Sequence, residues 1–535
     1  MTLPPIEPVL ALDDIQGIAV PGFLKPHQTL IYVGVPAAAK FDEYRRMLGR
    51  LPVSTGRDTL DDRRKARMTA KVGNRSRGAT RAIAERVVLT AIGFTYSGLR
   101  RLAPSAQSIP STAFKHGLPR RAGLLGDPED PQSEGHPRNW VVGGSNDVLD
   151  AIIVVAGDAR EDVTARGKKI AGELAALGAT VRAEDGDVRA DNPGHEHFGF
   201  DDGVSQPGIR GRATDSASDF ITERHIDETD VPATWLYGYP GQDLVWPGEF
   251  VFGYPASSPD PLIPGLVAGA GPPWTANGSF LVYRRLRQDV VKFWSTMRAE
   301  SARLAKQPAF GSMTDVRLGS LLVGRWPSGA PVLRVPAGDE PALGGDPLAN
   351  NDFRFDSDTP ASKAVHAAAD QYPAAKADPA GLRCPWAAHI RKVNTRDSSS
   401  DMGGASASQT RRILRVGVPF GRSLPDSARY GEAPDPDKGQ RGLLFLSIQS
   451  SIEEQFEFLQ ARWMNDPSRP KTPGGHDMIV GQNAAAEDGV RRCTVFGAGA
   501  AGAQVAAGDQ FVIPTGGAYL FVPSVSTLRT VLSTT

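Results

Sequence analysis

The chain has 535 residues, of which 40% are hydrophobic and 22% charged, a composition typical of a globular protein with at least two domains. Its 60 basic residues balance its 60 acidic residues, so charge favours neither a nucleic acid nor an anionic membrane as a partner. Two cysteines are too few for a disulfide scaffold or a cysteine-based zinc cluster, and they indicate a reducing compartment. No apolar run is long enough to span a bilayer, and the first residues do not resemble a signal peptide, so we expect a cytoplasmic protein that acts on small molecules.

Periodic elements in the first third of the chain form one group. The pattern predicts strands at 29–35, 149–158 and 179–185 and helices at 41–51 and 159–178. In the second helix Val163, Ile170 and Leu174 share one face, and Gly178 provides the stop.

A second group with the same character follows in the rest of the chain. The pattern predicts strands at 279–286, 442–449, 510–514 and 518–523 and helices at 287–306 and 450–464. Strands interleaved with two helices suit an antiparallel sheet with helices packed on one face, so we predict an α+β protein built from two such units.

Composition suggests where these units meet. We predict an N-terminal domain at 1–208, a connection rich in proline, glycine and aromatic residues at 209–275, and a C-terminal domain at 276–535. Because ligand pockets favour domain interfaces, a site shared by both halves is expected.

The stretch FGFDDGVSQPG at 198–208 places the adjacent carboxylates Asp201 and Asp202 between glycines. With His195 and His197 just before them, they could form a metal site with nitrogen and oxygen ligands, as in a hydrolase that uses a metal other than haem iron. The spacing fits no specific metal motif, so this stays an alternative.

His389 lies in CPWAAHIRKVNTRD, where a mostly apolar stretch before the histidine is followed by several basic residues. An iron porphyrin needs an axial nitrogen ligand and cationic partners for its propionates, and this segment could provide both. A buried structural histidine is the alternative interpretation.

Arg415 ends the short run ILR and precedes a turn. An arginine at such a place is commonly a surface charge. If it faces a pocket, it could stabilise the anion that forms as a peroxide O–O bond breaks, while a nearby acid moves the proton between the two oxygens.

Several blocks, in order, resemble the dye-decolorizing peroxidase family: GFDDG at 199–203, HIRKVNTRD at 389–397, ILRVGVPFG at 413–421, and the segments 441–460 and 514–524. In its length the chain resembles members of the family's longer-loop subgroup. The resemblance implies two ferredoxin-like α+β units of the dimeric α+β barrel type, with haem b held mainly by the C-terminal half. It also implies a peroxidase, monomeric or homodimeric, that reduces hydrogen peroxide and oxidises bulky phenolic or dye-like reductants.

The resemblance also assigns the central residues of the site. The fourth position of the family's GxxDG signature falls on Asp202, the distal acid–base residue, which leaves Asp201 as an expected capping or solvent-facing neighbour. His389 matches the proximal iron ligand and Arg415 the distal arginine. An unperturbed aspartate titrates near pH ~4, so activity is expected to be highest at acidic pH.

Other matches are more peripheral. Arg396 matches an arginine that pairs with a haem propionate, and Asp477 a carboxylate that hydrogen-bonds the proximal imidazole. Leu443 and Phe445 resemble apolar residues of the distal pocket. The chain departs from the family where many relatives have proline, at Thr395 and at Met478 after Asp477.

Bulky substrates cannot reach a buried haem edge, so a surface aromatic relay is expected, with Trp386 and Tyr430 as candidates. Two other functions fit the same haem ligand. One is the handling of haem or porphyrin with release of iron, and the other is a non-catalytic haem carrier or sensor.

Overall fold

The computed structural model describes residues 5–75, 86–227, 229, 231–358, 372–472 and 474–534. Within these ranges, none of the helices combines the length and the apolar character needed to cross a membrane.

The N-terminal half contributes four long strands and the helices that connect them. The strands are β1 (His27–Gly34), β2 (Val88–Phe94), β3 (Ala151–Gly157) and β4 (Thr180–Asp187). The helices are α1 (Phe41–Arg50), α2 (Gly56–Arg75), α3 (Tyr96–Leu102), α4 (Thr112–His116) and α5 (Arg160–Ala176). The connection to the second half holds the short strands β5 (Gly208–Ile209) and β6 (Leu244–Val245) and the helix α6 (Val231–Leu236).

The C-terminal half repeats this plan with longer insertions. Its strands are β7 (Ser279–Gln288), β8 (Leu414–Arg415), β9 (Val418–Phe420), β10 (Gly442–Gln449), β11 (Arg491–Phe496), β12 (Gly502–Ala507) and β13 (Val512–Val522). Its helices are α7 (Val290–Leu304), α8 (Asp315–Val323), α9 (Pro341–Gly344), α10 (His389–Val393), a π-helix at Ile452–Met464 and, at the end, α11 (Val525–Thr527) and a second π-helix at Leu528–Leu532.

One antiparallel sheet runs through both halves in the order β4-β1-β3-β2-β13-β7-β10-β8, with β9 also paired to β10. Each half therefore has the strand order 4-1-3-2 of a ferredoxin-like unit, and the two units join where Phe94 of β2 pairs with Phe521 of β13. The predicted α+β architecture of two ferredoxin-like units is confirmed.

Alternation along the strands separates two hydrophobic cores. Leu30 and Tyr32 of β1 face a core that also contains Leu444 and Leu446 of β10, so the inner faces of the two halves pack against each other. A hydrogen bond of 2.7 Å between the hydroxyls of Tyr32 and Tyr283 crosses this interior. The residues that alternate with these on β10, Leu443 and Phe445, lie on the opposite face of the sheet.

Two of the differences between the predicted and the observed elements lie in the central strands of the sheet. Strand β2 had no predicted counterpart, because it is buried on both faces and its apolar run lacks the alternation that marks a half-exposed strand. The strands predicted at 510–514 and 518–523 are one strand, β13, which continues through a register shift between Pro514 and Gly516. The domain limits 1–208, 209–275 and 276–535 stay a prediction.

Candidate active site

A cavity of about 260 Å³ lies on the outer face of the C-terminal half of the sheet. Side chains of β7, β8 and β10, of α10 and of the π-helix at 452–464 line it, together with the 196–207 segment that ends the N-terminal half. Six of the seven residues predicted for the site line this cavity: Asp202, His389, Arg396, Arg415, Leu443 and Phe445.

One wall of the cavity carries His389, the first residue of α10. Its Nδ1 is 2.7 Å from Oδ2 of Asp477, the seventh predicted residue, which lies behind the imidazole and is fully buried. Oδ1 of Asp477 accepts hydrogen bonds from the backbone amides of Ile479 and Val480 at 2.9 and 3.0 Å. Burial by itself would raise the pKa of Asp477, but His389 and these hydrogen bonds together hold it below its ordinary value. The pair leaves Nε2 as the imidazole nitrogen available to a ligand.

A second wall carries Asp202 and Arg415. The Nη1 atom of Arg415 donates to Oδ1 of Asp202 over 2.8 Å, and its Nη2 donates to the carbonyl oxygen of Ser205 over 3.2 Å. Both side chains are partly exposed to the cavity, at 29% for Arg415 and 36% for Asp202. A carboxylate and a permanent cation therefore lie together at one place on the cavity wall.

Gln206, in the turn after the two aspartates, fixes this pair. Its side-chain amide donates to the carbonyl oxygen of Arg415 over 3.0 Å and accepts from the Arg415 amide over 3.2 Å. The side chain of Gln206 therefore occupies the edge of β8 and bonds its backbone as a neighbouring strand would. The sequence pattern gave Gln206 no role in the site, because its partner is 209 residues away.

Glu196 holds the other end of the same segment. Its carboxylate accepts from the amides of Phe198 and Phe200 at 2.7 and 2.9 Å and from the side-chain amide of Gln288 at the end of β7. Burial raises the pKa of Glu196, although these hydrogen bonds lower it in part. No sequence signal distinguished this glutamate, yet it ties the loop that carries Asp202 to the C-terminal sheet.

The two aspartates have different surroundings. Gly199 and Gly203 adopt φ values of +97° and +84°, which favour glycine, and they turn the chain sharply around Asp201 and Asp202. Asp202 is exposed to the cavity, whereas Asp201 is half-buried beside the backbone of Gly329. The expectation that Asp201 is a capping or solvent-facing residue stays a prediction, since its side chain is neither fully exposed nor fully buried. Burial, with a smaller effect of Asp202, raises the pKa of Asp201 to about 6, while His195 and Arg325 oppose this shift.

The apolar part of the cavity comes from β10. Leu443 and Phe445 alternate with the interior residues of the strand and therefore both face the cavity. The ring of Phe445 packs against Phe456 of the π-helix, with ring centroids 6.1 Å apart.

Arg396 lies at another edge of the cavity with a backbone φ of +50°. Its Nη1 donates to the carbonyl oxygen of Phe353 over 2.9 Å, and its guanidinium lies 3.7 Å above the Phe353 ring. Asn351 accepts from Arg396 and, over 3.0 Å, from the buried Arg325. Burial lowers the pKa of Arg396 to about 10 and that of Arg325 to about 9, so the two cations share a site of low polarity.

Three buried polar atoms on cavity-lining residues lack a hydrogen-bond partner: Nη1 of Arg284, Nε of Arg411 and Oε1 of Gln482. Two of these residues are arginines, and their positive charge in the cavity wall would favour a bound anionic group. An imidazole nitrogen on an apolar wall, together with arginine side chains in the same lining, fits haem, a planar apolar group with an iron centre and two carboxylates.

The alternative of a metal site at 195–202 has little support. Nε2 of His197 lies 2.9 Å from the carbonyl oxygen of Phe420, and Nδ1 of His195 lies 3.0 Å from the carbonyl oxygen of Pro193. Among the described residues, no group of three or more histidine, cysteine, aspartate or glutamate side chains is arranged to hold a metal ion.

The two relay candidates differ in their contacts. Trp386 is only 5% exposed and lies between the guanidinium of Arg391 and the ammonium of Lys471, at 3.9 and 4.9 Å from its ring. Its contacts are those of a packing residue.

Tyr430 is half-buried and connects to the cavity through consecutive contacts. The guanidinium of Arg429 lies 5.6 Å from the Tyr430 ring and 3.6 Å above that of Trp294. Trp294 stacks on Phe200, which lines the cavity, with centroids 6.2 Å apart and planes 11° from parallel.

Comparison with known proteins agrees with this architecture. Residues 14–190 match the family described as the DyP dimeric alpha+beta barrel domain. The chain is 27% identical over 531 residues to the dye-decolorizing peroxidase msp1 of Mycetinis scorodonius, covering 98% of this chain and 88% of that protein. It is 30% identical over 451 residues to a dye-decolorizing peroxidase of Mycena epipterygia, covering 81% of this chain and 74% of that protein.

A solved structure of an ancestral D-type dye-decolorizing peroxidase is similar to the whole chain. Its TM-score is 0.73 at 30% sequence identity, and the match covers 98% of this chain and 99% of that one. The sequence relatives, the structural likeness and the matched domain agree on one assignment. The chain belongs to the dye-decolorizing peroxidase family and is a DyP-type peroxidase.

Proposed function

We propose that this peroxidase binds haem b, reduces hydrogen peroxide and oxidises bulky phenolic or dye-like compounds in one-electron steps. The observation that carries the proposal is that two groups line one cavity: His389 with Asp477 behind it, and the ion pair of Asp202 with Arg415. The dye-decolorizing activity named for the curated relatives supports the substrate class.

In this proposal Nε2 of His389 binds the haem iron, and the hydrogen bond to Asp477 fixes the tautomer and orientation of the imidazole. Arg396 is assigned to a propionate, and Arg284 and Arg411, which also line the cavity, are further cationic candidates for these carboxylates. Leu443 and Phe445 form the apolar cover of the peroxide site. When bound, haem supplies the redox centre that accepts electrons from the organic substrate and delivers them to peroxide.

Asp202 is the acid–base group of the proposal. Its carboxylate takes a proton from one oxygen of hydrogen peroxide and returns it to the other, which leaves as water. Arg415 is already held beside it and stabilises the negative charge that develops as the O–O bond breaks. Because a fixed hydrogen bond to Arg415 and the bonds of Gln206 hold the pair, little reorganisation is needed during the reaction.

Bulky reductants are oxidised at the protein surface in this proposal. Tyr430 is favoured over Trp386 as the surface group, because its contacts lead through Arg429 and Trp294 to Phe200 at the cavity. A small phenol could be oxidised in the cavity itself.

An absorption spectrum tests the cofactor and its ligand together. The wild-type protein loaded with haem is expected to show a Soret band that is lost or strongly altered in His389→Ala. His225→Ala is the matched control, because His225 does not line the cavity and packs against the ring of Tyr239. An unchanged Soret band in His389→Ala contradicts the proposed ligand.

The two other haem functions give different results in turnover experiments. Iron release from added haem without dye oxidation by peroxide would support haem handling. A carrier or sensor would react with peroxide at the same rate in Asp202→Asn and Arg415→Leu as in the wild type. The cytoplasmic location and the monomeric or homodimeric state stay predictions, and sedimentation measures the latter.

A further inference from the structure

Lys392 lies on α10, three residues after His389, and none of its surface is exposed. Its ammonium group donates to the carbonyl oxygens of Asp466 at 3.0 Å, of Arg469 at 2.7 Å and of Gly475. An ammonium has three N–H donors, and these three acceptors use all of them. A buried charge is tolerated only when it is satisfied in this way, so the position of each carbonyl depends on the lysine.

In the segment 466–475, of which residue 473 is not described, the other residues fold tightly around this cation. The amide of Gly475 donates to the carbonyl oxygen of Pro467 over 2.7 Å. A Cβ atom at Gly474 would lie 2.7 to 2.8 Å from the carbonyl oxygens of Lys471, Arg469 and Pro467, which is closer than Cβ atoms are found. Glycine at 474 therefore leaves room for the Arg469 carbonyl, which is one of the three that accept from Lys392.

The same segment leads directly into Asp477, whose amide donates to the carbonyl oxygen of Met464 over 3.0 Å. Two interactions join α10 to this part of the chain: the bond between His389 and Asp477, and the bonds of Lys392. His389 and Lys392 are one helical turn apart, so the lysine fixes the segment close to the position where Asp477 meets the imidazole.

We propose that Lys392 is a positioning residue for the proximal pair: it fixes the 466–475 segment on α10 and so sets the hydrogen bond from His389 to Asp477. This inference rests on the proposed role of His389 as the iron ligand. Through that hydrogen bond Lys392 controls how strongly the imidazole donates to the iron, although it touches neither iron nor substrate.

Hydrogen exchange in the haem-free protein tests the positioning directly. In Lys392→Met the amides of Asp477, Ile479 and Val480 are expected to exchange at least about tenfold faster than in the wild type. Lys25→Met is the matched control, because Lys25 is also buried but pairs with Asp62 and Asp158 in the N-terminal half. The control is expected to leave exchange at 477–480 unchanged even where it lowers overall stability.

The haem-loaded protein provides a second measurement, the midpoint potential of the iron. We expect Lys392→Met to shift it in the same direction as Asp477→Asn, and Lys25→Met to leave it unchanged. If Lys392→Met does not fold, Gly474→Ala replaces it, because the added methyl group would displace the Arg469 carbonyl, one of the three acceptors of Lys392, while the lysine stays. Unchanged exchange at 477–480 in the variant that folds overturns the proposal, and so does an unchanged potential. A failure of the proposed function would appear separately, as a Soret band unaffected by His389→Ala, and would leave the exchange result intact.

Discussion

Arg415 and Asp202 lie 213 residues apart in the chain and are joined by a hydrogen bond of 2.8 Å from Nη1 to Oδ1. The amide of Gly203 donates to the same oxygen over 2.7 Å. Both donors bind Oδ1, which leaves Oδ2 as the oxygen that can carry a proton. The pair exists only because the segment that ends the N-terminal half packs on the edge of the C-terminal sheet.

Asp202→Asn is expected to slow the reaction with hydrogen peroxide by about 10²- to 10⁴-fold, because an amide cannot take up and return the proton. Stopped-flow mixing with peroxide, followed at the Soret band, measures the rate. The side chains have nearly the same shape, so the fold and haem content should be unchanged. A wild-type rate would remove Asp202 from the mechanism.

Arg415→Leu is expected to slow the same reaction by about 10²- to 10³-fold, through loss of the cation that stabilises the departing oxygen. The variant also leaves Asp202 without its partner. Arg422→Leu serves as the control, because Arg422 is an exposed arginine of the neighbouring turn that does not line the cavity. Equal peroxide rates in the two variants would contradict the proposed role.

Asp201→Asn is expected to change stability more than activity. The pKa of Asp201 in the folded protein is about 6, above the value of about 4 in an unfolded chain. The folded protein therefore binds the proton more tightly, and the stability contributed by protonation is present below pH ~4 and is lost as pH rises through about 6. At pH 7.5 the asparagine variant should be more stable than the wild type by about 1–2 kcal/mol, after allowance for solvent screening, and this gain should vanish near pH 4. Denaturant unfolding of the haem-free protein at both pH values checks the difference, and an equal gain at both would contradict it.

Asp477→Asn is expected to weaken haem binding by about 10- to 100-fold, because the imidazole of His389 loses its anionic partner. Resonance Raman spectra of the reduced protein should show a lower iron–histidine stretching frequency. His476→Gln tests whether the effect is specific, since the ring of the neighbouring His476 bonds the backbone of Arg492 and does not line the cavity. A change of the same size in His476→Gln would indicate a general disturbance of the segment.

Tyr430→Phe is expected to lower the turnover of a bulky dye several-fold and to leave that of a small phenol unchanged. Phenylalanine retains the packing on Arg429 but lacks the phenol that can be oxidised. Tyr372→Phe is the control, because its hydroxyl bonds the carbonyl oxygen of Ala342, away from the cavity wall. If the turnover of the dye and that of the phenol fell by the same factor, the substitution would act on the cavity and not on a surface site.

Local sequence patterns were sufficient for much of the architecture. The amphipathic pattern of α5 buries Val163, Ile170 and Leu174, and the alternation on β10 directs Leu443 and Phe445 to the cavity. Such patterns succeed because neighbours within one turn or one strand share a face whatever the rest of the chain does. The resemblance of ordered blocks then indicated which histidine, aspartate and arginine to examine.

Amino-acid sequence alone thus determined the two α+β units and the chemical groups available to the site. Tertiary structure decided which of these groups meet: Gln206 with the backbone of Arg415, Glu196 with Gln288, and Lys392 with three carbonyl oxygens of one segment. The partners are 209, 92 and, for Arg469, 77 residues apart. The periodicity of a sequence cannot predict contacts at such separations, because these contacts form only when the packed sheet brings distant segments together.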